Sequence, residues 1–124
     1  MSNTIEFMDT TEDELYTMFY WESHSGSYAA YVRGDRCDNY HNLFQEFSAA
    51  FQFPRYFGMN AAAFDECMCD LDWLSFKKLF LMIDKFDCLL CGDRREQKWL
   101  CGVLQGIQTY WHQQGIEMRI VISH

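Results

Sequence analysis

The pattern of apolar and polar positions predicts a domain in which strands alternate with helices. Three short segments have the apolar, β-rich composition of strands: 28–33, 78–83 and 117–123. The second is apolar at almost every position, which indicates a central or second strand covered on both faces. Helical spacing fills the intervals, and strands joined by helices pair in parallel through right-handed crossovers. The sequence therefore predicts an α/β fold with a small three-stranded parallel sheet packed with helices.

The last of these helices is predicted over 94–114. Asp93 and Glu96 have the spacing of a capping box at its start. Its buried face is expected to carry Trp99, Val103, Ile107, Tyr110 and Trp111. Gly102 and Gly106 each weaken a helix by about 1 kcal/mol relative to alanine, so one of them could mark a close contact or a break.

The residues before the first predicted strand could add a further strand or a hairpin. Thr11 is a permissible helix cap, and the acids that follow it favour one or two helical turns over 11–18. The aromatic segments 16–22 and 27–33 flank 23–26, whose serines and glycine are typical of a hairpin loop.

The segment 53–74 combines an aromatic-glycine turn with a short acidic helix. Asn60 can cap this helix by accepting a hydrogen bond from a backbone N–H of the first turn. Helical spacing places one apolar stripe along it: Phe64, Cys67, Met68 and Leu71. The opposite face carries Asp65, Glu66, Cys69 and Asp70. Carboxylates on an exposed surface suit a basic partner.

Composition and charge limit the classes of function. Hydrophobic residues make up 49% of the 124 residues and proline occurs once, as in a packed single domain. The formal charge of −8 disfavours direct binding to nucleic acid or to an anionic membrane and favours a cationic protein. The longest apolar run, 79–83, is far shorter than the ~20 residues of a membrane helix, and the acidic N-terminus is unlike a signal peptide. We therefore expect a cytoplasmic protein.

The six cysteines, in a chain without a secretion signal, are expected to be reduced thiols. Cys88 and Cys91 have the spacing of a zinc-binding pair, but Cys67 and Cys69 are too close together to complete a usual site. The sequence has neither a phosphate-binding glycine loop nor histidines at metal-pair spacing. We therefore predict no metal, no cofactor and no catalysis. The alternative is an enzyme that uses cysteines as zinc ligands or reactive thiols.

The segment 53–74 resembles the barstar family of ribonuclease inhibitors, whose signature is approximately F-P-x-Y-[YF]-G-x-N-[WL]-D-A-[LF]-x-D-x-L, often followed by D-L-x-W-L. The residues that fit are Phe53, Pro54, Tyr56, Phe57, Gly58, Asn60, Ala63, Phe64, Cys67, Met68, Asp70, Leu71, Asp72, Trp73 and Leu74. The strand, turn and helix before this segment agree with the family as well. The resemblance implies a barstar-like domain over residues 28–124, with residues 1–27 as an N-terminal extension packed on it.

The resemblance also implies a function. It indicates an immunity-type protein that binds a basic, cytotoxic ribonuclease one to one and blocks its active site without chemistry. The expected partner-binding residues, with Cys69 added from the same helix face, are Tyr56, Gly58, Asn60, Ala62, Asp65, Glu66, Cys69 and Asp70. Some have ordinary structural explanations, since Gly58 could supply a backbone angle and Asn60 a cap. A barstar-like module that regulates a partner other than a nuclease is the alternative.

Departures from the family pattern fall at positions that matter for binding. Ala61 replaces the large apolar residue after the asparagine, and Ala62 replaces the aspartate that family members use to engage the nuclease active site. The acid that the family often supplies from its C-terminal helix falls close to Tyr110. The two alanines could reflect divergence toward another toxin or changes introduced by engineering. In both cases recognition is expected to rely on the acids that remain.

Overall fold

A computed structural model describes residues 4–55 and 58–124 of the chain. The strands are β1 (Glu6–Met8), β2 (Ser27–Arg33), β3 (Lys78–Asp84) and β4 (Glu117–Ser123). The α-helices are α1 (Glu12–Ser23), α2 (Tyr40–Phe51), α3 (Ala61–Met68) and α4 (Arg94–Gln113), and 3₁₀ turns form at Gly34–Arg36 and Phe86–Gly92. The predicted α/β class is confirmed.

The strands of the described residues form one parallel sheet in the order β1-β4-β3-β2. The three strands predicted from the sequence lie side by side, and β3 is an inner strand, as its unbroken apolar run indicates. The register pairs Leu81 with Ala30 of β2 on one side and with Ile120 of β4 on the other. The N-terminal segment adds the fourth strand, β1, in which Phe7 pairs with Ile122.

The sheet has an apolar core on each face. Leu79, Leu81 and Ile83 of β3 belong to the larger core, which α2, α3 and α4 cover. Phe80 and Met82 alternate with them and reach the other face, where α1 packs. From β2 through β3 to β4 the chain moves toward one edge of the sheet, with its connecting helices on the first face. From β1 to β2 it moves toward the opposite edge. A crossover of the same hand therefore requires α1 on the second face.

The hairpin predicted around residues 23–26 is wrong. Residues 16–22 are helical, and α1 leads through a turn directly into β2. Thr11 caps α1 as expected. The residues that α1 turns toward the sheet are Leu15, Met18 and Phe19. Aromatic residues favour strands when they lie on a half-buried sheet surface, but here the helical spacing of these apolar side chains matches a surface they can cover.

The buried face predicted for α4 is partly wrong. Its buried residues are Leu100, Leu104, Ile107, Gln108 and Trp111. Trp99 and Val103 are only half-buried, and Tyr110 is exposed. Gln108 is buried instead of these three residues. Its side-chain amide can lie in the core because its Nε2 donates a hydrogen bond to the Met118 carbonyl at 2.8 Å. A polar residue with a buried partner cannot be recognised from apolar spacing.

The glycines of α4 mark neither a close contact nor a break. The helix is continuous over 20 residues, and a Cβ at Gly102 or Gly106 would meet open space. The expectation for these glycines is therefore wrong. Asp93 does cap the helix, since its carboxylate accepts hydrogen bonds from the backbone N–H groups of Arg95 and Glu96. Within residues 4–55 and 58–124, no helix combines the length and apolar character needed to cross a membrane.

Candidate protein-binding surface on the third helix

The side chain of Asn60 shapes the turn before α3. Its Oδ1 accepts a hydrogen bond from the Ala63 N–H at 2.8 Å, and its Nδ2 donates to the Gly58 carbonyl at 3.2 Å, so Asn60 caps the helix as predicted. The left-handed residue of the turn is Met59, with φ of 53°, and not Gly58. A Cβ on Gly58 would lie 3.1 Å from Asn60 Nδ2, so the glycine leaves room for the cap. Tyr56, also expected here, lies outside the described residues.

Apolar packing fixes the inner side of α3. Phe64 is fully buried, and its ring centroid lies 5.1 Å from that of Phe47 and 5.4 Å from that of Phe44. Met68 is buried in the same core. Burying a phenylalanine or methionine contributes about 1.5–3 kcal/mol each, so rotating α3 would expose side chains that stabilise the domain. The opposite side of the helix is therefore held toward solvent in one orientation.

That opposite side presents carboxylates. Asp65 and Glu66 of α3 are exposed, as is Asp70 in the turn that follows the helix, so the predicted placement of Asp70 on the helix itself is wrong. We call these three residues the α3 acidic face. In the part of the chain that the structure describes, the ion pairs involve other acids. Ala62 is exposed on the first turn of the same helix. Carboxylates without an intramolecular cation remain available for charge-assisted hydrogen bonds to a partner.

Cys69 lies at the edge of this surface rather than on it. It follows the last residue of α3, is half-buried and packs against the core. Burial, with a smaller contribution from Asp65, raises the pKa of its thiol to about 11. Burial likewise raises the pKa of the Cys67 thiol. Both thiols stay protonated at neutral pH, whereas a nucleophilic cysteine needs a lowered pKa.

Two tryptophans fix the surroundings of α3, a role that sequence reasoning missed. Trp111 of α4 donates from Nε1 to the carbonyl of Met68, the last residue of α3, at 2.8 Å. Trp73 donates from Nε1 to the carbonyl of Phe51, the last residue of α2, at 2.8 Å. Both bonds satisfy carbonyls that a helix end leaves open. A tryptophan in the sequence indicates that its indole N–H will need an acceptor when it is buried. The acceptors here are 43 and 22 residues away along the chain, so local sequence does not identify them.

Tyr110 occupies the place on α4 where an acid was expected from the resemblance. It is exposed, and its ring lies edge-on to that of Trp111 at a centroid distance of 5.2 Å. Trp111 is the α4 residue that donates a hydrogen bond to the end of α3, and Tyr110 precedes it on the same helix. The position contributes an aromatic ring and a hydroxyl to the surface, and no charge.

Four further cysteines lie elsewhere in the fold, and they differ in exposure. All six cysteines are free thiols, and Cys88 and Cys91 are exposed. Cys91 Sγ donates to the Asp38 carbonyl at 3.0 Å. Over residues 4–55 and 58–124, no group of three or more histidine, cysteine, aspartate or glutamate side chains is arranged to hold a metal ion.

A pocket of about 460 Å³ lies between β1, α4 and β4. Its lining residues are Thr4, Glu6, Gln108, Glu117 and Arg119. Arg119 is paired with the Glu6 carboxylate at 2.7 Å and with that of Glu22 at 3.6 Å. The hydrogen bond to Glu6 raises the pKa of this guanidinium. The pocket therefore offers an anionic ligand a cation whose charge is already balanced.

Comparison with known families gives a match that includes α3. The family model described as Barstar (barnase inhibitor) matches residues 28–123, more than three quarters of the chain. The match begins in β2, spans α3 with its acidic face and ends with β4, while β1 and α1 lie outside it. A search of curated proteins found no match. The chain belongs to the barstar family.

Proposed function

We propose that this protein is a cytoplasmic, immunity-type inhibitor that binds a basic ribonuclease one to one and covers its active site with the α3 acidic face. The family model that matches the chain is described as a barnase inhibitor. The observation that carries the proposal is the α3 acidic face itself. Its three carboxylates are exposed and unpaired within the described residues. Two lie on a helix whose other side is fixed in the core, and Asp70 lies in the turn that follows it. Catalysis, metals and cofactors play no part.

The proposed mechanism is occupation of the substrate cleft. A ribonuclease must present cationic groups to a phosphodiester, and the carboxylates of Asp65 and Glu66 can take the place of phosphates. Among the ion pairs of residues 4–55 and 58–124, none involves these two carboxylates, so none has to break when they meet those cations. The packing of Phe64 and the hydrogen bond from Trp111 hold α3 in place before binding, so little conformational entropy is lost. Opposite charge also speeds the encounter.

Recognition by this chain would differ in detail from the family pattern. Ala62 and Tyr110 are exposed and uncharged at positions where the family places acids. Contact with the partner's cations therefore falls to the α3 acidic face, beside a turn that Gly58 and Asn60 shape. Cys69 would contribute an apolar contact at the edge.

We also propose that residues 28–124 form the inhibitory domain and that residues 1–27 are an extension packed on it. The family match begins at residue 28. β1 pairs with β4 at one edge of the sheet, and α1 covers Phe80 and Met82 on the face away from α3. Removing the extension should expose these apolar side chains and lower stability while leaving the α3 acidic face in place.

RNA cleavage tests the proposed function. The protein is titrated into a basic ribonuclease, first the product of a neighbouring reading frame, while cleavage of a fluorogenic RNA is followed. We expect complete inhibition at equimolar protein. Undiminished cleavage, with no complex detected by calorimetry, would contradict the proposal. A pull-down that returned only partners other than nucleases would favour a regulator of a different protein.

A further inference from the structure

The outer side of α1 carries exposed aromatic residues. Trp21 is 67% exposed, Tyr20 56% and Tyr16 45%, and we call these three residues the α1 aromatic face. The helix lies outside the range that the family model matches. Exposed clusters of large aromatic rings are typical of protein interfaces, where tyrosine and tryptophan are enriched.

Other residues of α1 pack against the core. The inner side of α1 is filled by Leu15, Met18 and Phe19. On the outer side, Tyr20 lies edge-on to Trp21 at a centroid distance of 5.6 Å, and Tyr16 stacks on Tyr31 of β2 at 4.6 Å. These contacts orient the rings while much of their area stays in solvent. Tyr20 also lies 4.4 Å from the His24 ring, between ring centroids. The α1 aromatic face is therefore an ordered surface that the described residues cover only in part.

The surroundings of this face are strongly negative. Residues 1–27 carry six of the eighteen carboxylates and no lysine or arginine, and residues 28–124 carry the other twelve with all ten basic residues. The extension thus accounts for −6 of the net charge of −8. Exposed acids at the start of α1 are Glu12, Asp13 and Glu14. Arg119 reaches α1 at Glu22, but its guanidinium also binds Glu6.

We propose that the α1 aromatic face docks a protein segment that presents arginine side chains. A guanidinium stacks on tryptophan or tyrosine through cation–π attraction and can bond a carboxylate with its remaining donors. Asp13 precedes Tyr16 by three positions and Tyr20 by seven, so the acid and the rings share one side of the helix. Nucleic acid and anionic membranes would be repelled by the charge of the extension.

This docking face is separate from the α3 acidic face. α1 packs on the side of the sheet that Phe80 and Met82 face, and α3 packs on the other side. A ribonuclease on α3 and an arginine-bearing segment on α1 would occupy opposite faces of the sheet. The inference does not rest on the proposed function, and it can fail or succeed independently of ribonuclease inhibition.

The test uses the full chain and a fluorescein-labelled peptide of arginine-glycine repeats, with binding followed by fluorescence anisotropy at low ionic strength. We expect saturable binding, and weaker binding of the matching lysine-glycine peptide. The Tyr20→Ala/Trp21→Ala variant should bind roughly tenfold more weakly, as expected for the loss of two cation–π contacts. Phe7→Ala is the matched control, because it removes a ring that is 53% exposed on β1, and it should bind like the unaltered protein.

Three results would overturn the proposal. The peptide could fail to bind the unaltered protein, or it could bind the Tyr20→Ala/Trp21→Ala variant equally well, which would show attraction by charge alone. Sedimentation could also reveal a dimer that this variant abolishes, which would make a second copy of the chain the occupant. Circular dichroism of the variant verifies folding, which the exposure of both side chains leads us to expect.

Discussion

Replacing Asn60 separates its role as a helix cap from a role in direct contact with a partner. In the structure Asn60 Oδ1 accepts from the Ala63 N–H at 2.8 Å, and Nδ2 donates to the Gly58 carbonyl at 3.2 Å. Asn60→Ala removes both bonds, and loss of the cap alone lowers the free energy of unfolding by about 1 kcal/mol. Asn60→Ser keeps an acceptor for the helix and loses only the bond to the exposed Gly58 carbonyl, which water can replace.

We therefore expect Asn60→Ala to lower the melting temperature by roughly 4 °C and Asn60→Ser to change it little. Thermal and urea unfolding followed by circular dichroism give both values. If the two variants are equally destabilised, or neither is, Asn60 does not stabilise the domain by capping α3, and the reasoning is refuted. Calorimetry with the ribonuclease tests whether Asn60 also contacts the partner. If the Asn60 side chain binds the ribonuclease directly, the stable Asn60→Ser variant should bind it more weakly as well.

Three further predictions follow from the contacts around α3 and from the buried thiols. Trp111→Phe leaves the buried Met68 carbonyl without its donor, so urea unfolding should show a loss of about 1–3 kcal/mol. Ala62→Asp adds a carboxylate to the exposed first turn of α3, where the helix dipole favours it, so we expect a gain of about 0.3–1 kcal/mol in thermal unfolding and stronger inhibition of a barnase-type ribonuclease. Burial raises the pKa of the Cys37 thiol to about 12 and that of Cys69 to about 11, from an ordinary value of 9.0. As pH rises, the unfolded chain ionises these thiols before the folded chain does. Their contribution to the free energy of unfolding is therefore complete below pH 9 and should be lost as pH rises toward 11–12. Cys69→Ala should make that loss smaller when unfolding is measured against pH.

Local features of the fold were predictable from sequence because local residues determine them. The strands at 78–83 and 117–123 and the cap at Asn60 follow from apolar runs and side-chain hydrogen bonding within a few residues. The aromatic composition of residues 16–22 predicts a hairpin strand, because aromatic residues favour strands, but these residues are helical. The buried residues of the sheet surface that α1 covers are Phe80 and Met82 of β3 and Val121 of β4, which lie far along the chain, and Ala29 and Tyr31 of β2 flank them. This surface favours a helix at residues 16–22.

The candidate site was predictable in its exposed charges and not in its supports. Helical spacing placed Asp65 and Glu66 away from the apolar stripe, and both are exposed. Sequence suggests that Gly58 could supply a special backbone angle, because glycine adopts such angles most readily, but the left-handed residue is Met59. The bond from Trp111 to the end of α3 joins residues 43 positions apart, and single-residue patterns carry no information about such a pair.

The most direct test of the central claim is a calorimetric titration of the ribonuclease with two charge-reversed variants. Asp65→Lys/Glu66→Lys changes the α3 acidic face, and Glu12→Lys/Glu14→Lys makes the same change in net charge on α1, across the sheet. We predict that the first variant loses affinity by at least about 30-fold, while the second stays within about threefold of the unaltered protein. Equal affinities for both variants, with each folded, would contradict the claim that α3 carries the binding surface.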